Sequence, residues 1–210
     1  MKRIEEVYRE ILFEAMEKNE FVLTQSELSK KLSISLSIVN IAVKKLNLIG
    51  ALKIQQRSFR ILDIKKILYL WASVRNLNKD IIFRERVEAP VREIERILPN
   101  IFYTAYSAYK FHFNDVPADY SEIYVYGDEN EMETIKKRIS DFKILPKNSR
   151  VNPNFFVLKK DHSLNLYKKI PLAQIFVDLW NLKEWYAKDF INAFENNLEN
   201  KNGILEFAIN

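Results

Sequence analysis

The tightest constraint on this chain is one three-residue break. Ser33-Ile34-Ser35 separates two stretches whose apolar residues recur at helical intervals: Leu28 and Leu32 before it, Val39, Val43 and Leu46 after it. Three residues leave room for a tight turn and nothing larger. The stretches 25–32 and 36–48 are therefore predicted to be helices joined by that turn. Thr24-Gln25-Ser26-Glu27 opens the first as a capping box, with Thr24 on an N-terminal amide and Glu27 reaching back. Ser35 is placed to cap the second. Gly50 falls just past its end, where a left-handed residue usually stops a helix. Upstream, Ile4, Val7, Ile11, Leu12 and Ala15 mark a helix over 3–19. Downstream, 51–54 and 59–62 read as short strands joined by the polar loop Gln55-Gln56-Arg57-Ser58.

Charge is concentrated in the same region. The chain carries a net +5 over 210 residues. Residues 1–20 are net −2, and 63–210 are net +1. Residues 21–62 hold seven cations (Lys30, Lys31, Lys44, Lys45, Lys53, Arg57, Arg60) against the single acid Glu27, a net +6. A basic excess confined to one short segment is the footprint expected of a polyanion-binding surface; a solvated charged face is the alternative.

The order helix, helix, turn, helix, hairpin resembles the winged helix-turn-helix of transcription regulators such as the MarR-like group. The resemblance is carried by T-Q-S-E-L-S-K-K-L-S-I-S-L-S-I-V-N-I-A-V-K-K-L-N-L-I-G-A-L at 24–52. It departs at Ser33, where many members have glycine; serine can still form the turn because its side chain bonds to local backbone. The resemblance implies that 36–48 is a recognition helix. With Val39, Val43 and Leu46 turned inward, Ser37, Asn40, Ile41, Lys44 and Lys45 face outward or flank that face. Ser37 and Asn40 lie in the first turns, where a recognition helix meets base edges. Asparagine can pair bidentately with adenine, and Ile41 can touch a thymine methyl. Lys44 and Lys45 fall further along, over phosphates. Ser35 offers a hydroxyl and helix-start amides to a phosphate. Arg57 at the hairpin tip could enter a minor groove, with Arg60 on the adjacent backbone.

The rest of the chain alternates helix and strand. Residues 63–74 read as a connecting helix with Ile64, Ile67, Leu68, Trp71 and Val74 on its stripe, and Pro90 opens a helix with Val91, Ile94 and Ile97. Helices are expected over 104–112 and 130–140, and strands over 122–126, 142–144 and 155–158. Pro171 opens a long helical stretch through Phe176, Leu182, Phe190 and Leu198. The pattern suggests a small α/β domain with a helical C-terminus. The segments F-Y-T-A-Y-S-A-Y at 102–109, E-I-Y-V-Y-G at 122–127, N-F-F-V-L at 154–158 and P-L-A-Q-I-F-V-D-L-W at 171–180 look like regulators related to the AbiEi-type antitoxins. That resemblance implies a degenerate, nucleotidyltransferase-like α/β domain without catalysis.

Composition narrows the chemistry. Zero cysteine removes thiol nucleophiles and Cys-ligated metals, and only His112 and His162 offer imidazoles. Gly50, Gly127 and Gly203 are too scattered for a P-loop or a GxGxxG turn. A working nucleotidyltransferase needs a Gly-Ser turn and two carboxylates two apart on a strand. Here the turn would be Tyr106-Ser107, and the available acids are Asp115, Asp119 and Glu122, with Asp119 and Glu122 three apart. No enzyme activity, metal or cofactor is expected. The aromatic run Phe102, Tyr103, Tyr106, Tyr109, Phe111, Phe113 reads as core, with a ligand pocket as the alternative.

The expectation is thus an α+β chain in three parts: a winged helix over 1–62, connecting helices over 63–99, and a small α/β domain ending in helices over 100–210. The function expected is that of a cytoplasmic, sequence-specific DNA-binding regulator. It would bind double-stranded DNA as a homodimer through Ser35, Ser37, Asn40, Ile41, Lys44, Lys45, Arg57 and Arg60. The connecting helix and the helices after Pro171 are the candidate dimer surfaces. The second domain would sense a small-molecule or protein effector, bind a partner or dimerise. No signal peptide and no membrane partner are expected. The alternatives are a nucleotidyltransferase-like enzyme tethered to nucleic acid, and a scaffold whose first domain binds protein.

Overall fold

A computed structural model describes residues 1–98, 100–146 and 150–200. Helix α1 (Arg3–Lys18) leads into a two-residue strand, β1 (Val22–Leu23). Then come α2 (Gln25–Leu32), α3 (Leu36–Leu48) and a hairpin of β2 (Leu52–Ile54) and β3 (Phe59–Ile61). Strand β3 is central in a three-stranded antiparallel sheet ordered β1-β3-β2. The strand β1 was not anticipated, because two residues carry no period.

The local devices are those the residues dictate. Thr24 Oγ1 accepts from the Glu27 amide at 3.1 Å, and Glu27 returns to the Thr24 hydroxyl at 2.8 Å. Ser33 takes the left-handed conformation (φ 53°) that glycine usually supplies. The turn is closed by the Ile34 amide on the Ser29 carbonyl and by Ser29 Oγ on the Ile34 carbonyl. At the far end of α3, Gly50 (φ +68°) lets its own amide reach the Asn47 carbonyl and the Ala51 amide reach the Leu46 carbonyl. That paired closure satisfies carbonyls the helix end would otherwise leave open.

Helix α4 (Ile64–Val74) follows, its Asp63 cap accepting from the Lys66 amide. A mixed sheet comes next: β4 (Ile81–Glu85), β5 (Phe102–Thr104), β6 (Ile123–Gly127) and β7 (Phe155–Lys159), ordered β4-β7-β6-β5. Only β6 and β7 run parallel, and α7 (Glu129–Ile139) connects them. Helix α5 (Val91–Ile97) precedes β5, and α6 (Ala105–Phe113) follows it directly. Strands β4 and β5 were unforeseen: β4 is a mixed-charge edge strand, and β5 is too short to show alternation. Residues 142–144 form no strand; Ile144 makes one isolated bridge to Val87. The stretch after Pro171 is two helices, α8 (Leu172–Trp180) and α9 (Ala187–Asn200), separated by a polar break at 181–186.

The buried apolar side chains of these elements form one continuous core. Helix α1 sits centrally, packed on α2, α3, α4 and α8. It therefore buries Glu5, Glu6, Arg9 and Glu10 as well as its apolar stripe. Helices α4 and α8, two of the expected dimer surfaces, pack on α1 and on each other through one face and leave Val74 and Trp180 exposed. Among the described residues no helix is long and apolar enough to cross a membrane.

Candidate nucleic-acid interface

The interior of α3 is set by Val39, Ala42, Val43 and Leu46, all fully buried. That anchoring fixes the opposite face. Ser35, Ser37, Ile41, Lys44 and Lys45 are exposed, and Asn40 is half-buried. Ser35 sits at the cap position but its hydroxyl makes no capping bond, so the α3 start presents hydroxyl and amides to the outside. Asn40 Nδ2 donates to Gln25 Oε1 at 3.0 Å, which holds the amide against the start of α2. Gln25 was not singled out from sequence, although the turn spacing alone brings the start of α2 beside α3.

The hairpin is tied to the same helix. The Ile54 amide donates to Asn47 Oδ1 at 3.3 Å, fixing β2 against the last turn of α3. A four-residue turn closes through the Gln55 amide on the Ser58 carbonyl, with Arg57 exposed at its tip. This register sets Lys53 directly opposite Arg60, both exposed on the outer face of the sheet. Like charges directly opposed across strands are destabilising. Lys53 was not among the expected site residues, yet the turn length already implies its partner.

No acid occurs between residues 33 and 62. Among the described residues, Lys44, Lys45, Lys53, Arg57 and Arg60 form no ion pair. Lys31 behaves differently: its ammonium is bound by Glu10 and Glu14 of α1. Burial alone would lower the Lys31 pKa, but those carboxylates outweigh it and raise it to about 12. This cation holds the fold together and is subtracted from the basic surface.

Among the described residues no group of three or more His, Asp or Glu side chains is placed to hold a metal. Ser107 is buried inside α6 rather than in a turn; the left-handed residue at the β5–α6 junction is Ala105 (φ 52°). Asp119 and Glu122 both precede β6, and Glu122 accepts from the Tyr186 hydroxyl. Asp115 accepts from the Val116 amide at 2.8 Å.

What the sequence reading missed entirely is a buried polar chain between α1 and the second sheet. Arg9 donates to Asp161, to Ser163 Oγ at 2.7 Å and to Gln174 Oε1 at 3.2 Å. Gln174 Nε2 passes on to Asp178 Oδ1 at 3.0 Å. Asp178 also accepts from Thr104, Tyr126 and Arg75. Burial opposes ionisation of Asp161, but the hydrogen bonds and charge of Arg9 outweigh it and hold the carboxyl below its ordinary value. Tyr126, wholly enclosed beside Asp178, is pushed well above the ordinary phenol range by burial. No family model, curated protein or solved structure matches this chain.

Proposed function

We propose that the chain is a sequence-specific DNA-binding regulator whose first 62 residues act as a winged helix, with α3 in the major groove. The observation that carries this reading is the surface of α3 and the hairpin: five cations, no acid, and a cross-strand Lys53–Arg60 pair that a bound phosphate would relieve. Ser37, Asn40 and Ile41 would meet base edges, with Asn40 pre-oriented by Gln25. Ser35, Lys44, Lys45 and Arg60 would hold phosphates, and Arg57 would enter the minor groove. Binding would be as a dimer on half-sites about 10 to 10.5 base pairs apart or a multiple of that.

In this reading the second sheet senses or docks rather than catalyses. The buried Ser107, and carboxylates lying ahead of β6 instead of on it, support that assignment over nucleotidyl transfer. The test is selection of bound fragments from random duplex DNA. Enrichment of a paired motif at one of those spacings is expected. A second reading, protein docking through α3, is favoured by the exposure of Leu36 (51%), Ile41 (47%) and Leu48 (86%) along that helix. Failure to enrich any sequence would favour it.

A further inference from the structure

The aromatic run over 102–113 divides in two. Tyr106 and Tyr109 are fully buried in the core. Phe111 is 54% exposed, and Phe102 is half-buried on the outermost strand of the second sheet. Together with Tyr103, His112, Lys168 and Lys169 these two phenylalanines line a half-open cleft of about 440 Å³.

We infer that this cleft binds a small aromatic anion. Its size falls in the range of small-molecule sites and is too small for a macromolecule. Its rings supply the flat apolar surface: Phe111 meets Tyr103 edge-on, with centroids 5.2 Å apart, and keeps much of its area open. Its charge is of one sign, because no carboxylate lines it. Two ammonium groups already lie against the rings, Lys160 at 5.0 Å from Phe102 and Lys110 at 5.2 Å from Phe111. Both are neutralised elsewhere, by Glu131 and Glu95. Lys168 and Lys169 are exposed and form no ion pair among the described residues, although Lys169 lies close enough to Glu17 to favour its ionised form. They are the cations left to meet a ligand's negative charge, and the Asn100 side chain adds a neutral polar group to the wall. A ring without charge leaves the lysines unused, and an anion without a ring leaves the phenylalanines wet.

The site uses no residue of α3 or the hairpin, so it stands or falls independently of DNA binding. The test is calorimetric titration of the full chain with 2-naphthoate. The uncharged 2-naphthylmethanol and the non-aromatic cyclohexanecarboxylate serve as comparisons. Saturable one-to-one binding of naphthoate is expected, about tenfold or more tighter than either comparison. Phe111→Ala, and Lys168→Ala with Lys169→Ala, should each weaken it about tenfold; loss of the exposed lysines should leave the thermal melt unchanged, while loss of the Phe111–Tyr103 contact should lower it slightly. Absence of saturable naphthoate binding, equal affinity for all three compounds, or unchanged affinity in both variants would overturn the inference.

Discussion

Arg9 and Asp161, 152 residues apart, form a two-pronged ion pair in the interior, with nitrogen–oxygen distances of 2.5 and 2.9 Å. Arg9 is wholly buried and Asp161 almost so. The pair pins the first helix to the segment between β7 and α8, and through Gln174 it reaches Asp178 of α8, which accepts from Thr104 of β5 and Tyr126 of β6. The basic surface and the second sheet are thereby built on a common frame.

Removing one partner strands the other charge in the interior. Arg9→Ala is expected to cost about 3–5 kcal/mol, the range for an uncompensated buried ion. Replacing the pair together, Arg9→Met with Asp161→Leu, should cost much less. Urea unfolding followed by circular dichroism checks both; equal losses in the two variants would mean the hydrogen bonds to Ser163 and Gln174, lost in both, set the effect rather than the unpaired charge.

Acid stability has two opposing parts. Burial opposes ionisation of Glu14, but Lys31 and Lys18 outweigh it and lower its pKa from 4.5 to about 2. A lowered folded value means its stabilisation is complete above 4.5 and is lost as pH falls towards 2. Asp161 acts in the same direction. Glu6, Glu10 and Glu17 are raised by burial, so their contribution is present at low pH and is lost as pH rises through their raised values. The stability difference between the parent and Glu14→Gln should therefore be largest near neutrality and shrink towards zero as pH approaches 2. Unfolding at a series of pH values reads this directly.

The two turns that frame α3 make opposite predictions. Ser33 is left-handed at a cost of about 1–2 kcal/mol to a residue with a side chain, so Ser33→Gly should stabilise by about 1 kcal/mol. That is roughly 2–4 °C in melting temperature for a chain of this size. Gly50→Ala should destabilise by a similar amount. The added Cβ makes only an ordinary contact with the flexible end of Lys66, 3.7 Å from Nζ, so the penalty is in the backbone. Calorimetric melts of both variants give the signs.

The helices of the first part were legible because their apolar spacing, the Thr24 cap, the three-residue break and Gly50 all speak locally. The second part was less so. Its edge strand β4 alternates in exposure but not in residue type, β5 is too short to show a period, and α8 and α9 looked continuous because Leu182 and Tyr186 keep helical spacing across the break. The exposed lysines of α3 could be read from periodicity; the Lys53–Arg60 opposition could have been counted from the turn length. The pairing of Arg9 with Asp161 could not, since no local pattern says which distant charge a buried charge will meet.

Under the proposed function, the Lys53–Arg60 opposition trades stability for DNA binding. Lys53→Thr removes a repulsion and adds a good strand former. It should stabilise the free protein by less than about 1 kcal/mol, the span of the strand-propensity scale, while weakening duplex DNA binding. A thermal shift paired with fluorescence anisotropy tests both halves; a variant that is less stable, or binds DNA equally well, would remove the hairpin from the interface.

The central claim is that α3 and the hairpin bind nucleic acid, and the most direct measurement is the salt dependence of affinity for duplex DNA. For the parent, the logarithm of affinity should fall linearly with the logarithm of salt concentration. In Lys44→Ala with Lys45→Ala the slope should be shallower by about 1.8, two phosphate contacts at roughly 0.9 each, for every sequence tested. No binding at low salt, or an unchanged slope in the double variant, would contradict the account.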